Sequence, residues 1–158
     1  MGIQVQTQAF NLDQLSVGLQ AGDSRVGAVV TFVGYVRDLN LGEAVQSLYL
    51  EHYPGMTERS LQGIVQQARE RWPLNRVSLV HRVGLLQVGE PIVFVGVASA
   101  HRQAAFEACA FIMDYLKTRA PFWKREHLAD GTTGGWVEAK EEDDDAARRD
   151  RRHQHVGR

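Results

Sequence analysis

Pro121 constrains this chain more than any other residue. Before it, Arg102 to Arg119 carries apolar residues at helical spacing, and after it Phe122-Trp123 opens a short strand-like stretch. Proline lacks an amide donor and bars the preceding residue from helical geometry, so the helix must stop and the chain must turn. Lys117 and Lys124 bracket the corner. Two ammonium groups on either side of a rigid bend can converge on one anionic or electrophilic ligand. Each lowers the other's proton affinity, which is one route to a reactive lysine near neutral pH.

The rest of the pattern reads as one α+β domain over residues 1–139, followed by a charged, flexible tail over 140–158. After an extended N-terminus, Asn11 to Gln20 is a short helix. Val26 to Arg37 and Ala44 to Tyr53 are strands joined by a hairpin loop at Leu39 to Glu43. Pro54-Gly55 is a turn, and Thr57 opens a helix whose stripe is Leu61, Ile64, Val65 and Ala68. Pro73 ends it. Arg76 to Val83 pairs with Pro91 to Ser99, and the run Ile92 to Ala98 is apolar without alternation, as in a strand covered on both faces. Trp123 to His127 and Trp136 to Ala139 are short strands around a Gly/Thr loop. That loop lacks the Gly-Lys-Ser/Thr ending of a phosphate loop.

Composition excludes several classes. The net charge of −1 does not suit a general nucleic-acid binder, and the tail's six basic and six acidic residues leave the body at −1 as well. Positive charge is local: His101 to Arg125 holds five Lys/Arg against Glu107 and Asp114, which favours a small anionic ligand. One cysteine, Cys109, excludes an internal disulfide framework and a multi-thiolate zinc site. It falls on the buried side of its helix, where a thiol is inert. His52, His81 and His127 show no spacing with carboxylates or thiols that would make metal ligands. With no apolar run of membrane-spanning length and no leader pattern, the chain reads as cytoplasmic.

Other residues could carry chemistry. His101-Arg102 lies between a buried strand and a helix start, where free amides and the helix dipole attract anions; a turn histidine and a solvated arginine would look the same. Arg37 ends a strand, and matters only if the loop after it faces that pair. Lys117 falls on the polar arc with Gln103, Glu107, Asp114 and Thr118, the place of any surface lysine, with Asp114 one turn back as a partner. Lys124 follows two rings that should be partly buried. Arg125 and Glu126 beside it suit structural or ligand-orienting roles.

Four blocks carry a likeness: Gly27 to Arg37, Leu50 to Thr57, Val93 to Arg102 and Phe111 to Glu126. In order and spacing they resemble the large, catalytic subunit of molybdopterin synthase, the MoaE family, over about residues 25–140. The resemblance implies an α/β-hammerhead fold with an additional small antiparallel β-subdomain. It also implies a homodimer within a heterotetramer, one small ubiquitin-like sulfur-carrier subunit (MoaD-type) sitting on each large subunit. The implied reaction is a sulfurtransferase step of molybdenum cofactor biosynthesis. Cyclic pyranopterin monophosphate becomes molybdopterin, each sulfur arriving as a thiocarboxylate on the carrier's C-terminal Gly-Gly, with no metal or cofactor bound by this subunit.

The family's catalytic lysines correspond to Lys117 and Lys124. Its substrate-binding positions correspond to these two with Tyr35, Val36, Arg37, His101, Arg102, Arg125 and Glu126. Tyr35 departs from relatives that carry lysine there. The residues agree with this chemistry: the chain ends in Val156-Gly157-Arg158 and so is not the carrier, and its only thiol belongs to the core. Arg37, His101 and Arg102 suit a phosphate, gathered across a dimer interface, and Lys117 suits an acyl carbon, as charge stabiliser, acid, base or transient nucleophile. Two rivals remain: a scaffold that docks a ubiquitin-like protein without turnover, and a lysine-dependent acyl or aldol-type enzyme acting alone.

Overall fold

The structure is a computed structural model that describes residues 2–37, 45–128 and 137–138; at 45, 46, 125–128, 137 and 138 it describes backbone only. Strands β1 (Ile3–Gln6), β2 (Ala28–Tyr35), β4 (Arg76–Arg82) and β6 (Pro91–Ser99) make one sheet in the order β1-β4-β6-β2. Strands β3 (Val45–His52), β5 (Gly84–Gln87), β7 (Phe122–Leu128) and β8 (Val137–Glu138) make a second, antiparallel one in the order β5-β3-β7-β8. Helices α1 (Leu12–Gly18), α2 (Met56–Arg71) and α3 (Arg102–Thr118) complete the α+β architecture. The second sheet is the small antiparallel subdomain expected from the resemblance.

β6 is covered on both faces, as its unbroken apolar run requires. Val93, Val95 and Val97 pack with α2 and α3, while Phe94 and Ala98 pack with Leu19 and the residues of α1. Leu48, Leu50, Leu86 and Phe122 of the second sheet join the core on the α2–α3 side. Two short strands, β1 and β5, escaped the sequence reading, because four residues give too few alternations to declare themselves.

The hairpin expected between β2 and β3 does not form. The two strands belong to different sheets, β2 paired with β6 and β3 with β5 and β7. The segment expected to be its loop, 39–43, lies outside the described residues. The helix expected to open at Thr57 starts one residue earlier. Gly55, at φ 85°, takes a conformation that only glycine adopts freely, and the Glu58 carboxylate accepts from its amide. Asn11, expected as the first residue of α1, is its cap: the side chain accepts from the Gln14 amide.

Thr57 is wholly buried and closes the far end of the fold. Its hydroxyl accepts from the Tyr53 amide at 3.0 Å and donates to the Pro121 carbonyl at 3.2 Å. The start of α2 is thereby tied to the corner that ends α3. Replacing this residue with valine leaves a buried donor and a buried acceptor unmet, at about 1–3 kcal/mol each before relaxation. Thr57→Val is therefore expected to lose about 2 kcal/mol or more in urea denaturation, and Thr57→Ser to recover most of it.

Candidate active site

α3 stops at Thr118, and its last amides fold back, with Arg119 and Ala120 both bonding to the Tyr115 carbonyl. β7 begins straight after Pro121, and its register sets Phe122 against His52, Trp123 against Glu51 and Lys124 against Leu50. Strand alternation decides what each side chain meets. Phe122 and Lys124 turn inward and are buried. Trp123 turns the other way, its ring edge-on to Tyr53 at 4.3 Å. Lys124 is only 8% exposed, so this lysine belongs to the interior face of the sheet.

Lys117 differs from its sequence reading in one respect. It is half-buried, it forms no ion pair with Asp114 among the described residues, and it acts electrostatically on His81, a core residue. The helical projection placed it correctly on the polar arc, but it could not show that this end of the helix is partly covered by the fold. His81, on β4, stacks its ring on Phe122, with centroids 4.0 Å apart and planes 19° from parallel. The two lysines flank the corner, Lys117 on the last turn of α3 and Lys124 on β7.

Sequence reasoning missed His81 and Thr57. A single histidine in an apolar strand has no motif, and Thr57 looks like an ordinary helix opener. Strand alternation was the usable signal: Val77, Leu79 and His81 share one face of β4, the one against α2 and α3. Burial drives the His81 pKa down to about 4, helped by the positive charges of Lys117 and His52 and opposed by its bond to the Arg82 carbonyl. His52 in turn pairs with Glu58 at 3.4 Å.

The remaining candidates divide between two ends of the molecule. Val36 is buried, accepting from the Gly89 amide and donating to the Glu90 carbonyl, which anchors exposed Tyr35 and Arg37 beside the start of β6. His81 faces Val93, and Val93 faces Gly34, so Lys117 shares this end with Arg37. His101 caps α3 without a side-chain bond, and it and Arg102 are exposed at the other end of β6, beside Ala28. Nine strand residues separate the ends, or roughly 25–30 Å. Arg125 and Glu126 pair through their backbones with Tyr49 and Leu48; their side chains lie outside the described residues. Cys109 is buried as expected, and burial raises its thiol pKa to about 11.

The sequence pattern of the MoaE protein family matches residues 5–119. This chain belongs to the MoaE family. It is 58% identical over 149 residues to a Pseudomonas aeruginosa protein named molybdopterin synthase catalytic subunit, covering 94% of this chain and 98% of the relative. A protein of the same name from Escherichia coli K12 is 64% identical over 123 residues, 78% of this chain and 81% of the relative. Among solved structures, a Burkholderia ambifaria molybdopterin biosynthesis MoaE protein superposes with a TM-score of 0.78 at 47% identity, covering 94% and 96% of the two chains. The MoaE match begins at residue 5, so it takes in α1 and part of β1, which lie before the four blocks that first carried the likeness.

The buried histidine of this MoaE chain makes a pH test. The unfolded chain binds a proton at His81 near the ordinary value of 6.5, whereas the folded chain does so only at about 4. The unfolded state thus holds more protons between these values, and stability falls as pH drops from about 6.5 to about 4, by about 3 kcal/mol in all. Urea denaturation of wild type and His81→Asn across this range is expected to differ in slope, the variant lacking the His81 contribution.

Proposed function

We propose that this chain is the catalytic subunit of a molybdopterin synthase, a sulfurtransferase that converts cyclic pyranopterin monophosphate to molybdopterin. A small ubiquitin-like carrier supplies each sulfur as a thiocarboxylate on its C-terminal Gly-Gly. The observation that supports the reading is the burial of Lys124, inward-facing on β7 just past the Pro121 corner, with Lys117 half-buried on the last turn of α3 before it. The single thiol of the chain is sealed in the core, so sulfur has to come from outside.

Each transfer bonds the thiocarboxylate sulfur to the pterin, and water then attacks the acyl carbon, breaking its bond to sulfur and leaving a carboxylate on the carrier. Negative charge develops on the acyl oxygen during that attack. A positioned ammonium stabilises it best where water is scarce, which fits Lys117, and Lys124 supports it from the buried face of β7. The carrier's tail enters by extended backbone contacts, its glycines permitting close approach. Arg37 meets the phosphate, Tyr35 and the Val36 backbone line the pocket, and Arg125 and Glu126 orient the pterin.

His101 and Arg102 are too distant from Lys117 to serve the same site within one chain. A second copy removes the difficulty. The outer edge of β2 is unpaired among the described residues and runs from one end to the other, with Val29, Phe32 and Tyr35 exposed along it. Two chains lying antiparallel along this edge would set His101 and Arg102 of the partner subunit near Arg37 and Lys117, twice in one dimer. With a carrier on each copy, the assembly is a heterotetramer.

The deciding experiment mixes the purified chain with thiocarboxylated carrier and cyclic pyranopterin monophosphate. Dithiolene product is expected; carrier binding without product would instead mark a scaffold, and turnover without carrier a lysine enzyme acting alone. Lys117→Ala is expected to lower conversion by about 10²-fold or more with carrier affinity unchanged. Arg102→Ala is expected to weaken precursor binding by calorimetry more than carrier binding, and equal precursor affinity would contradict its phosphate role.

A further inference from the structure

The face of the first sheet that turns away from α2 and α3 carries a cavity that the proposed chemistry does not use. It measures about 170 Å³ and lies between α1 and the β1–β4 edge, with Gln14 and Leu15 on the helix side and Gln4, Ser78 and Val80 on the strand side. Ser78 and Val80 alternate along β4 with Val77, Leu79 and His81, so their side chains leave the strand away from the main core. Ser78 is only 1% exposed, and its hydroxyl has no hydrogen-bond partner among the described residues. Buried hydroxyls are ordinarily bonded, and this one borders the cavity.

Two glycines beside Ser78 show why the room lies on one side of it. Gly96 opposes Ser78 on β6, and a Cβ there would collide with Leu19, the residue that caps α1, so this side is filled. Gly2, just before β1, gives its carbonyl to the Leu79 amide at 2.9 Å, and a Cβ there would meet nothing within 4 Å. The walls are uncharged. Arg76, two residues before Ser78, is turned aside and donates to the Gly18 carbonyl at 2.7 Å. Gln4 and Gln14 are exposed at the rim, and their side-chain amides have no hydrogen-bond partner among the described residues. Leu15 and Val80 supply apolar wall.

We propose that this cavity is a binding site for a small uncharged ligand bearing a primary carboxamide. A carboxamide both donates and accepts, as the Ser78 hydroxyl and the two glutamine amides do, and an amide can meet a glutamine in two parallel bonds. A carboxylate of the same shape only accepts, and it would lose its hydration to walls that hold no counter-charge. A short apolar group carried by the amide lies against Leu15 and Val80. The site is on the opposite face of the sheet from α2 and α3, so it does not rest on the synthase reading and does not compete with a carrier at the lysine corner. A ligand held there bridges α1, β1 and β4 and fastens the first two elements to the sheet.

The test uses isobutyramide as the probe and isobutyrate, its charged counterpart of the same shape, as the control. Backbone amide spectra of the full chain are recorded by NMR as each is added. Saturable shifts at Gln4, Gln14, Leu15 and Ser78 are expected with isobutyramide and not with isobutyrate. Ser78→Ala removes the hydroxyl without adding bulk and is expected to weaken binding by about fivefold or more. Gly2→Val places a side chain in the cavity and is expected to abolish the saturable shifts, with the urea midpoint no lower than in wild type. Shifts that never saturate, or that isobutyrate produces equally, would overturn the proposal and leave a hydroxyl met by water alone. Binding that survives unchanged in both variants would place the amide elsewhere and would also overturn it.

Discussion

The bond from the Thr57 hydroxyl to the Pro121 carbonyl is the constraint on which the functional end of the molecule depends. Proline can end a helix, but it cannot choose where the chain goes next. Thr57 does that, because its hydroxyl also accepts from the Tyr53 amide at the close of the second sheet's central strand. One buried side chain thus joins the end of β3, the start of α2 and the corner before β7. With the corner fixed, β7 leaves along β3, and strand alternation alone turns Lys124 and Phe122 inward. Phe122 then meets His81.

On the proposed reading, the electrostatics of this end are those of cations gathered at one edge of the fold. Lys117, Lys124 and Arg37 belong to this end, and the carboxylate of Glu58 is engaged by His52 and the Gly55 amide. Bringing positive groups together costs free energy in the empty protein, and an anionic ligand offsets that cost on binding. A phosphorylated pterin and a thiocarboxylate are both anions. A site of this kind also explains why a nearly neutral chain carries a local excess of positive charge around its last helix.

Much of the fold was legible because it is governed by local pattern. The doubly covered strand, the stripe of α2 and the stop before Pro121 follow from residues close in sequence. The inward orientation of Lys124 was also readable, from its place two residues after Phe122 on a strand. Partition into two sheets was not, since β2 and β3 have similar composition and only distant partners decide where each one pairs. The same limit hid the place of His81, whose ring stacks on Phe122 of β7. Arg37 and His101-Arg102 were recognised as candidates, but only strand register reveals that they stand at opposite ends of one strand pair.

On the proposed reading that separation makes the active site a property of two chains, which can be tested without knowing the interface. Lys117→Ala and Arg102→Ala chains, each strongly impaired alone at limiting precursor, are unfolded together, refolded at equal concentration and assayed for dithiolene formation with thiocarboxylated carrier. If Lys117 of one chain works with Arg102 of the partner subunit, a mixed dimer has one site with both lesions and one intact site, so roughly a quarter of wild-type activity should return. No recovery, with mixed dimers shown to be present by mass spectrometry, would mean that the two residues do not meet across a dimer.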